Sequence, residues 1–599
     1  MKTDSRLDYY QREISYLRES GKQFSAHYPK VAARLDLSME ASRDPHIERM
    51  IESFAFLTSR VRQEMDDERE RVADMILSVV HPQLSTPLPA ISIAQFNPAK
   101  VGPPTHIPRG HMLVSEGFNG KKCHFQTCFD VDTWPLEIFW ANLLPADQFD
   151  GPLPSQNGEV LHLKIRLKKE TPEAPPAKKP LPVQQLRIHL EGESRTTHAL
   201  HEMLFCHLEK TFIRVDGGPL QAHKLRPQPV GFSETETVLP HPENAHPGLG
   251  LLQEYFAFPE KFLFFDLEIP ELLGAKEHLE LFFCLKPSRY NNLEISRDMF
   301  QLACTPVINL FRQRSEPIRT GEYKLEYPVV PDQYQNDSIA VHSILSVSTT
   351  DKKGPNLLQP YLGSRHHEQA SQAGLYWLSH RENGVGTSGY DSVTISLVDD
   401  ALATASSVSK TLYADTLCTN RNLPEGLLPG NPLFSENSLP GMDISLRRKP
   451  TRQVAPPQGD NRHLLVSALS LNYLSIVSGE QGLSALKTLL KLYNFEKSEA
   501  ASAQVDGICG LTSRPALMRM RGNTGSKAWP QFSRGIEVEL TFDEENFAGD
   551  SAFLLASVLN RFFPMYAAIN TPTQLMIRRK KDQTIWKLWP PRCGKRILL

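Results

Sequence analysis

The chain reads as a multi-domain α+β protein: a helical N-terminal segment, a β-rich middle and an α+β C-terminal domain. Three observations carry that reading. Its 599 residues exceed what one hydrophobic core holds, since domains run to about 100–200 residues. Apolar residues near the N-terminus recur every three or four positions, the helical period. After Pro82 the pattern changes to prolines and strict alternation, the strand period.

The first segment, 1–85, is expected to be helical. Leu7, Tyr10, Ile14, Leu17, Gly21, Phe24 and Tyr28 place one side chain per turn on a narrow stripe, as in a coiled-coil seam. Pro29 interrupts it and suits the first turn of a new helix, "PKVAARLDL". A second long helix begins at "DPHIERMIESFAFLTSRVRQEMDDE", where Asp44 suits the N-cap and Pro45 the first helical position. Ile47, Met50, Ile51, Phe54, Thr58, Val61 and Met65 then follow helical spacing.

A β-rich domain is expected over 86–330, with one helix near 196–210. "LHLKIRLK" alternates Leu161, Leu163, Ile165 and Leu167 against His162, Lys164, Arg166 and Lys168. "LRIHL", "FLFFDLEI" and "HLELFFCL" are further strands, and "KETPEAPPAKKPLP" is a flexible excursion that cannot build a core. Residues 331–460 read as strand- and loop-rich, closing on "RRKPTR" (Arg447–Arg452) as an exposed connection. Residues 461–599 read as α+β: helix "LSALKTLLKLYNF", strand "IEVELTF", a helix bent or broken at Pro564, then strand "QLMIRRK".

Composition excludes several classes. A net charge of −2 gives no global field for nucleic acid. The N-terminus lacks an apolar signal region, and no run reaches the roughly 18 apolar residues of a spanning helix. The eight cysteines are scattered, and "CHFQTC" is not a zinc spacing, so reduced thiols are expected.

The catalytic motifs fail on their physics. "GVGTSG" fits GxGxxG, but strands are expected on both sides, so a hairpin turn fits better than a phosphate site at a helix N-terminus. "HALHE" (His198–Glu202) has its histidines three apart, matching no zinc-protease spacing. His366 and His367 are adjacent and point apart. Asp44, His46 and Glu48 read as a cap, a helix start and an acid stabilised by the helix dipole. No catalytic, cofactor or metal residue is assigned. Trp134 and Trp140 support an alternative, a carbohydrate-binding or enzymatic protein built on the middle domain, although core packing explains them better.

Two helical stripes without an obvious partner remain, and several separated segments resemble a known family. These are Tyr9–Leu35, Asp44–Glu68, "EYFAFPEKFLFFDL", "CTPVINLFRQRSEPI", "YPVVPD", "LSLNYLSI" and "RGIEVELTFDEENFAGDSAFLLASVLNRFF". In that order they are similar to TssF (VasA, ImpG), a baseplate subunit family of the bacterial type VI secretion system. The resemblance implies a cytoplasmic, non-enzymatic scaffold without cofactors. It is expected to join TssG, TssK, TssE and a second copy of itself around a VgrG hub. The resulting baseplate is recruited to the inner face of the cytoplasmic membrane without inserting in it, and starts tube and sheath polymerisation. A wedge protein of a phage or phage-derived contractile tail is the alternative. Leu7, Tyr10, Ile14, Leu17, Phe24, Ile47, Ile51, Phe54 and Val61 are the candidate partner-interface residues.

Overall fold

The computed structural model describes residues 5–34, 45–98, 104–116, 120–152, 158–168, 185–242, 245–269, 278–290, 293–321, 324–331, 338–351, 354–362, 375–382, 391–399, 411–436, 439–457, 464–465, 479–520, 531–547, 549–567 and 571–594. The chain divides into two units, one of residues 1–78 and 458–467, the other of 79–457 and 468–599.

Among the described residues the first unit carries the helices α1 (Ser5–His27), α2 (Pro29–Arg34) and α3 (Pro45–Val80), the last of which ends just inside the second unit. Pro29 and Pro45 each open a helix, where a missing N–H costs nothing. Asp44, the expected cap, lies outside the described residues. At 36 residues, α3 is roughly 54 Å long.

In the second unit a closed barrel joins strands distant in sequence. Its order is Ile91–Pro98, Cys304–Ile308, Lys122–Thr127, Met112–Glu116, Pro432–Ser435 and Met442–Leu446. Phe96, Leu113, Phe125, Val307, Leu433 and Leu446 fill it. The last two strands fall in the segment read as strand- and loop-rich. They are four and five residues long, too short to show a period alone, and ring closure holds them. "RRKPTR" is not a free connection. Arg447 pairs with Glu191 at 2.8 Å and Arg448 with Glu260 at 2.6 Å. The Thr451 N–H donates to the Ile91 carbonyl at 2.8 Å, so the segment lies along the barrel.

A sandwich carries a large core. One sheet runs Gln221–His223, Leu208–Val215, His278–Leu285, Glu159–Leu167, Leu136–Pro145; the other runs Gln228–Pro229, Phe264–Glu268, Gln185–Leu190, Phe300–Leu302. Leu163, Ile165, Ile188, Leu267 and Phe283 share that core with Leu200, Met203 and Leu204 of α4 (Ser194–Cys206). His162 departs from its expected polar face. It is buried, 2.8 Å from Glu280, with its ring stacked on Phe282, because Val160, Phe212 and Cys284 make that face of the sheet apolar and Phe149 and Leu220 pack against them. Another sheet gathers strands from Phe311–Arg314 to Thr411–Thr419 around Trp377, Ile395 and Leu412. Within it Leu375–Glu382 and Ser392–Asp399 pair antiparallel up to Glu382↔Ser392. "GVGTSG" lies wholly outside the described residues, and the next described element after it is a strand, Ser392–Asp399, not a helix.

Further described α-helices are α5 (Pro247–Ala257) in the middle of the chain and α6 (Gly479–Leu492), α7 (Glu499–Asp506) and α8 (Ala552–Tyr566) toward the C-terminus. A four-stranded sheet runs Ile508–Met520, Gln531–Phe542, Thr573–Arg579, Ile585–Leu588. Its second and third strands are parallel with α8 as the crossover, a βαβ unit. The helix runs on through Pro564, which sits in its final turn, where little helix remains to be disrupted.

Candidate interaction surface

The face of α3 that meets α1 is small and polar. Arg62 donates to Glu13 at 2.9 Å, the Tyr9 hydroxyl donates to Asp66 at 2.9 Å, and Arg18 pairs with Glu48. Ala55 and Ser59 lie on that same face by helical spacing and are buried. Most of the large apolar side chains of α3 are exposed instead, whereas Leu17, one turn after Glu13, and Ile51, one turn before Ala55, are half-buried and Leu77 is buried.

The candidate interface residues fall into two groups. Leu7, Phe24, Phe54 and Val61 are exposed, the last two at 56% and 58%. Tyr10, Ile14, Leu17, Ile47 and Ile51 are half-buried. Met50, Phe56, Leu57, Met65, Val72 and Ile76 are exposed too, although the seven-residue spacing did not select all of them. More than half of the large apolar side chains exposed among the described residues belong to α1, α2 and α3. A signal for this was present in "FAFL". Four consecutive apolar residues at about 100° per step cannot all face one neighbour.

His366 and His367 lie outside the described residues, whereas "HALHE" is held in structural contacts. In "HALHE", His201 is buried beside Phe205, and burial pushes its pKa down to about 3. Glu202 accepts from the Tyr290 hydroxyl at 2.6 Å, the Trp586 indole N–H at 2.8 Å and Arg579 at 3.3 Å. Arg289 lies 3.5 Å away and His207 3.6 Å. Burial pushes this carboxyl up, yet the His207 contact, the Arg289 charge and the Tyr290 and Trp586 bonds together hold it below the usual range. With both oxygens occupied, Glu202 fastens α4 to the C-terminal sheet.

A second hub lies in "EYFAFPEKFLFFDL". Glu254 accepts from the Val238 and Leu239 N–H groups at 2.6 and 2.8 Å and pairs with the fully buried Lys261. Asp266 takes Arg187 in a bidentate pair, both bonds at 2.8 Å. Sequence reading passed over these groups; their signal is a charge set inside an apolar run, where only a partnered charge is tolerated. Trp140 packs against His162 at 4.7 Å, and Trp134 against the sandwich core. All eight cysteines are free, Cys123 and Cys128 among the buried ones. Among the described residues no cluster of His, Cys, Asp and Glu could hold a metal, and no helix is long and apolar enough to cross a membrane.

Fold and surface thus define a large multi-domain protein fastened internally by buried charge hubs, with apolar helical faces uncovered. The family model for "Type VI secretion system, TssF" matches residues 2–596. The chain belongs to the TssF family. It is 30% identical to the type VI secretion system component TssF1 of Pseudomonas aeruginosa, over 98% of this chain and 99% of that one. Its fold is similar to a chain of the TssK-TssF-TssG baseplate subcomplex solved by cryo-electron microscopy. That match has a TM-score of 0.74 and 23% identity, covering 92% of this chain and 99% of the other. A chain of a type VI secretion baseplate complex matches with a TM-score of 0.57 and 22% identity, over 99% of this chain and 100% of that one.

Proposed function

We propose that this chain is a structural subunit of a type VI secretion baseplate and acts by assembly, not by catalysis. The observation that carries the reading is the exposed apolar surface of α1 and α3. Each such side chain is worth about 1.5–3 kcal/mol when buried, and permanent interfaces commonly exceed about 2,000 Å² with apolar centres. The hydrogen bonds and ion pairs between α1 and α3 are polar, and most of α3's large apolar side chains stay exposed, available to helices of another chain.

The solved subcomplex names TssK and TssG beside the TssF-like chain, so proteins of those two kinds are the first partners proposed here. A second copy of this chain, TssE and a VgrG hub are further partners of the same reading. The work is cytoplasmic, at the inner face of the membrane the baseplate is recruited to, with neither nucleic acid nor cofactor.

The test is co-expression with the TssG-like partner. Ile14→Asp with Leu17→Asp is expected to abolish co-purification while leaving the melting of the second unit unchanged. Full yield of the complex from that variant rules the α1 stripe out as an interface.

A further inference from the structure

The strands Ile508–Met520 and Gln531–Phe542 pair along their whole length, from Ile508↔Phe542 to Met520↔Gln531. The next strand, Thr573–Arg579, pairs only with Ile536–Phe542. Beyond Ile536 the two strands therefore continue past the sheet as a ribbon.

At its root one face of the ribbon is core: Leu511, Val538 and Leu540 are buried. Strand alternation puts Leu517, Arg519, Arg534 and Phe532 on that same face further out. Leu517 stands opposite Arg534, and Arg519 opposite Phe532, a checkerboard of two apolar groups and two cations. Leu517 is 68% exposed and Phe532 63%. On the reverse face Met518 is buried, and a Cβ on Gly535 would meet the Pro572 carbonyl at 2.2 Å, so the ribbon is covered there.

Charge separates tip from root. At the root Arg514 pairs with Glu537 at 2.8 Å, Arg578 with Glu539 at 2.6 Å and Lys580 with Asp543 at 2.7 Å. Arg519 and Arg534 have no carboxylate partner among the described residues. The sequence from Thr512 to Ile536 contains no Asp or Glu at all, in a chain whose net charge is −2.

We propose that this face of the ribbon docks a protein surface that sets carboxylates beside apolar side chains. Guanidinium groups take carboxylates in bidentate pairs, and arginine beside an aromatic ring is the composition of interface hot spots. Two uncompensated arginines interleaved with Leu517 and Phe532 match a partner of that one chemistry. The inference rests on the assembly reading only in that the partner is sought among co-assembled subunits.

The experiment puts the photo-crosslinking residue p-benzoylphenylalanine at Phe532 of the full chain, co-expressed with the other subunits of its secretion system. Phe434, exposed at 55%, serves as the control position. The expected result is a crosslink to one protein, mapped to a segment bearing at least two carboxylates. Arg519→Glu with Arg534→Glu lowers its yield by about tenfold or more, and changing the mapped carboxylates to Lys restores it. Melting of the variant, unchanged at these exposed positions, shows that it folds. No crosslink above the control, a yield indifferent to charge reversal, or Phe532-dependent flotation with phosphatidylglycerol vesicles overturns the proposal. The N-terminal helices stay wild type throughout, so intact co-assembly without the crosslink overturns this inference alone.

Discussion

Glu202 shows how a single residue can carry a joint between distant parts of the chain. Its partners, Tyr290, Arg289, Trp586 and Arg579, come from segments far apart in sequence. Truncation strands those donors in a dry site, and breaking a buried charge network of this kind costs about 3–5 kcal/mol. Glu202→Ala is therefore expected to lower the melting temperature of the second unit markedly, with Glu202→Gln intermediate. A melting curve like that of the wild type contradicts the hub. The buried histidines add a pH dependence. Burial pushes His189, His201 and His342 to about 3 and His81 and His162 to about 4. The unfolded chain takes up protons near pH 6.5 while the folded chain refuses them, so stability falls as pH drops from about 6.5 toward 4. At pH 5.5 each histidine contributes about 1.4 kcal/mol of that loss. Melting temperature measured from pH 7.5 to 5.5 should fall by several degrees; a flat or rising profile refutes the assignment.

Among the elements, those with a long period were legible in the sequence. Helices α1 and α3, the Glu159–Leu167 strand and the βαβ crossover could be read because ten or more residues repeat one spacing or because apolar alternation is unbroken. The barrel was not legible. Its strands at Pro432–Ser435 and Met442–Leu446 are short, and they pair with strands more than 300 residues away, which no local pattern encodes. The face by which α3 meets α1 was also hidden, because Ala55, Ser59 and Arg62 do not look like a packing stripe, whereas the larger apolar row does. This makes a prediction for the helix pair. Ala55→Leu adds bulk where Ala55 is fully buried and should destabilise the first unit by about 1–3 kcal/mol. Phe56→Ala, on a 55% exposed side chain, should leave the isolated chain unaffected. Chemical denaturation followed by helical circular dichroism distinguishes the two. Equal effects would mean that α3 is packed the other way round.

For the whole molecule, the charge hubs and the barrel hold the second unit together from within, while the first unit shows its largest apolar side chains to the outside. A long helix stable mainly through packing is expected to find that packing in another chain. The most direct measurement is hydrogen–deuterium exchange across α3, on the chain alone and in the purified complex with its TssG- and TssK-like partners. The account predicts strong additional protection of the amides from Phe54 to Met65 in the complex. Equal exchange in the two states would contradict it, because the exposed face of α3 would then remain uncovered after assembly.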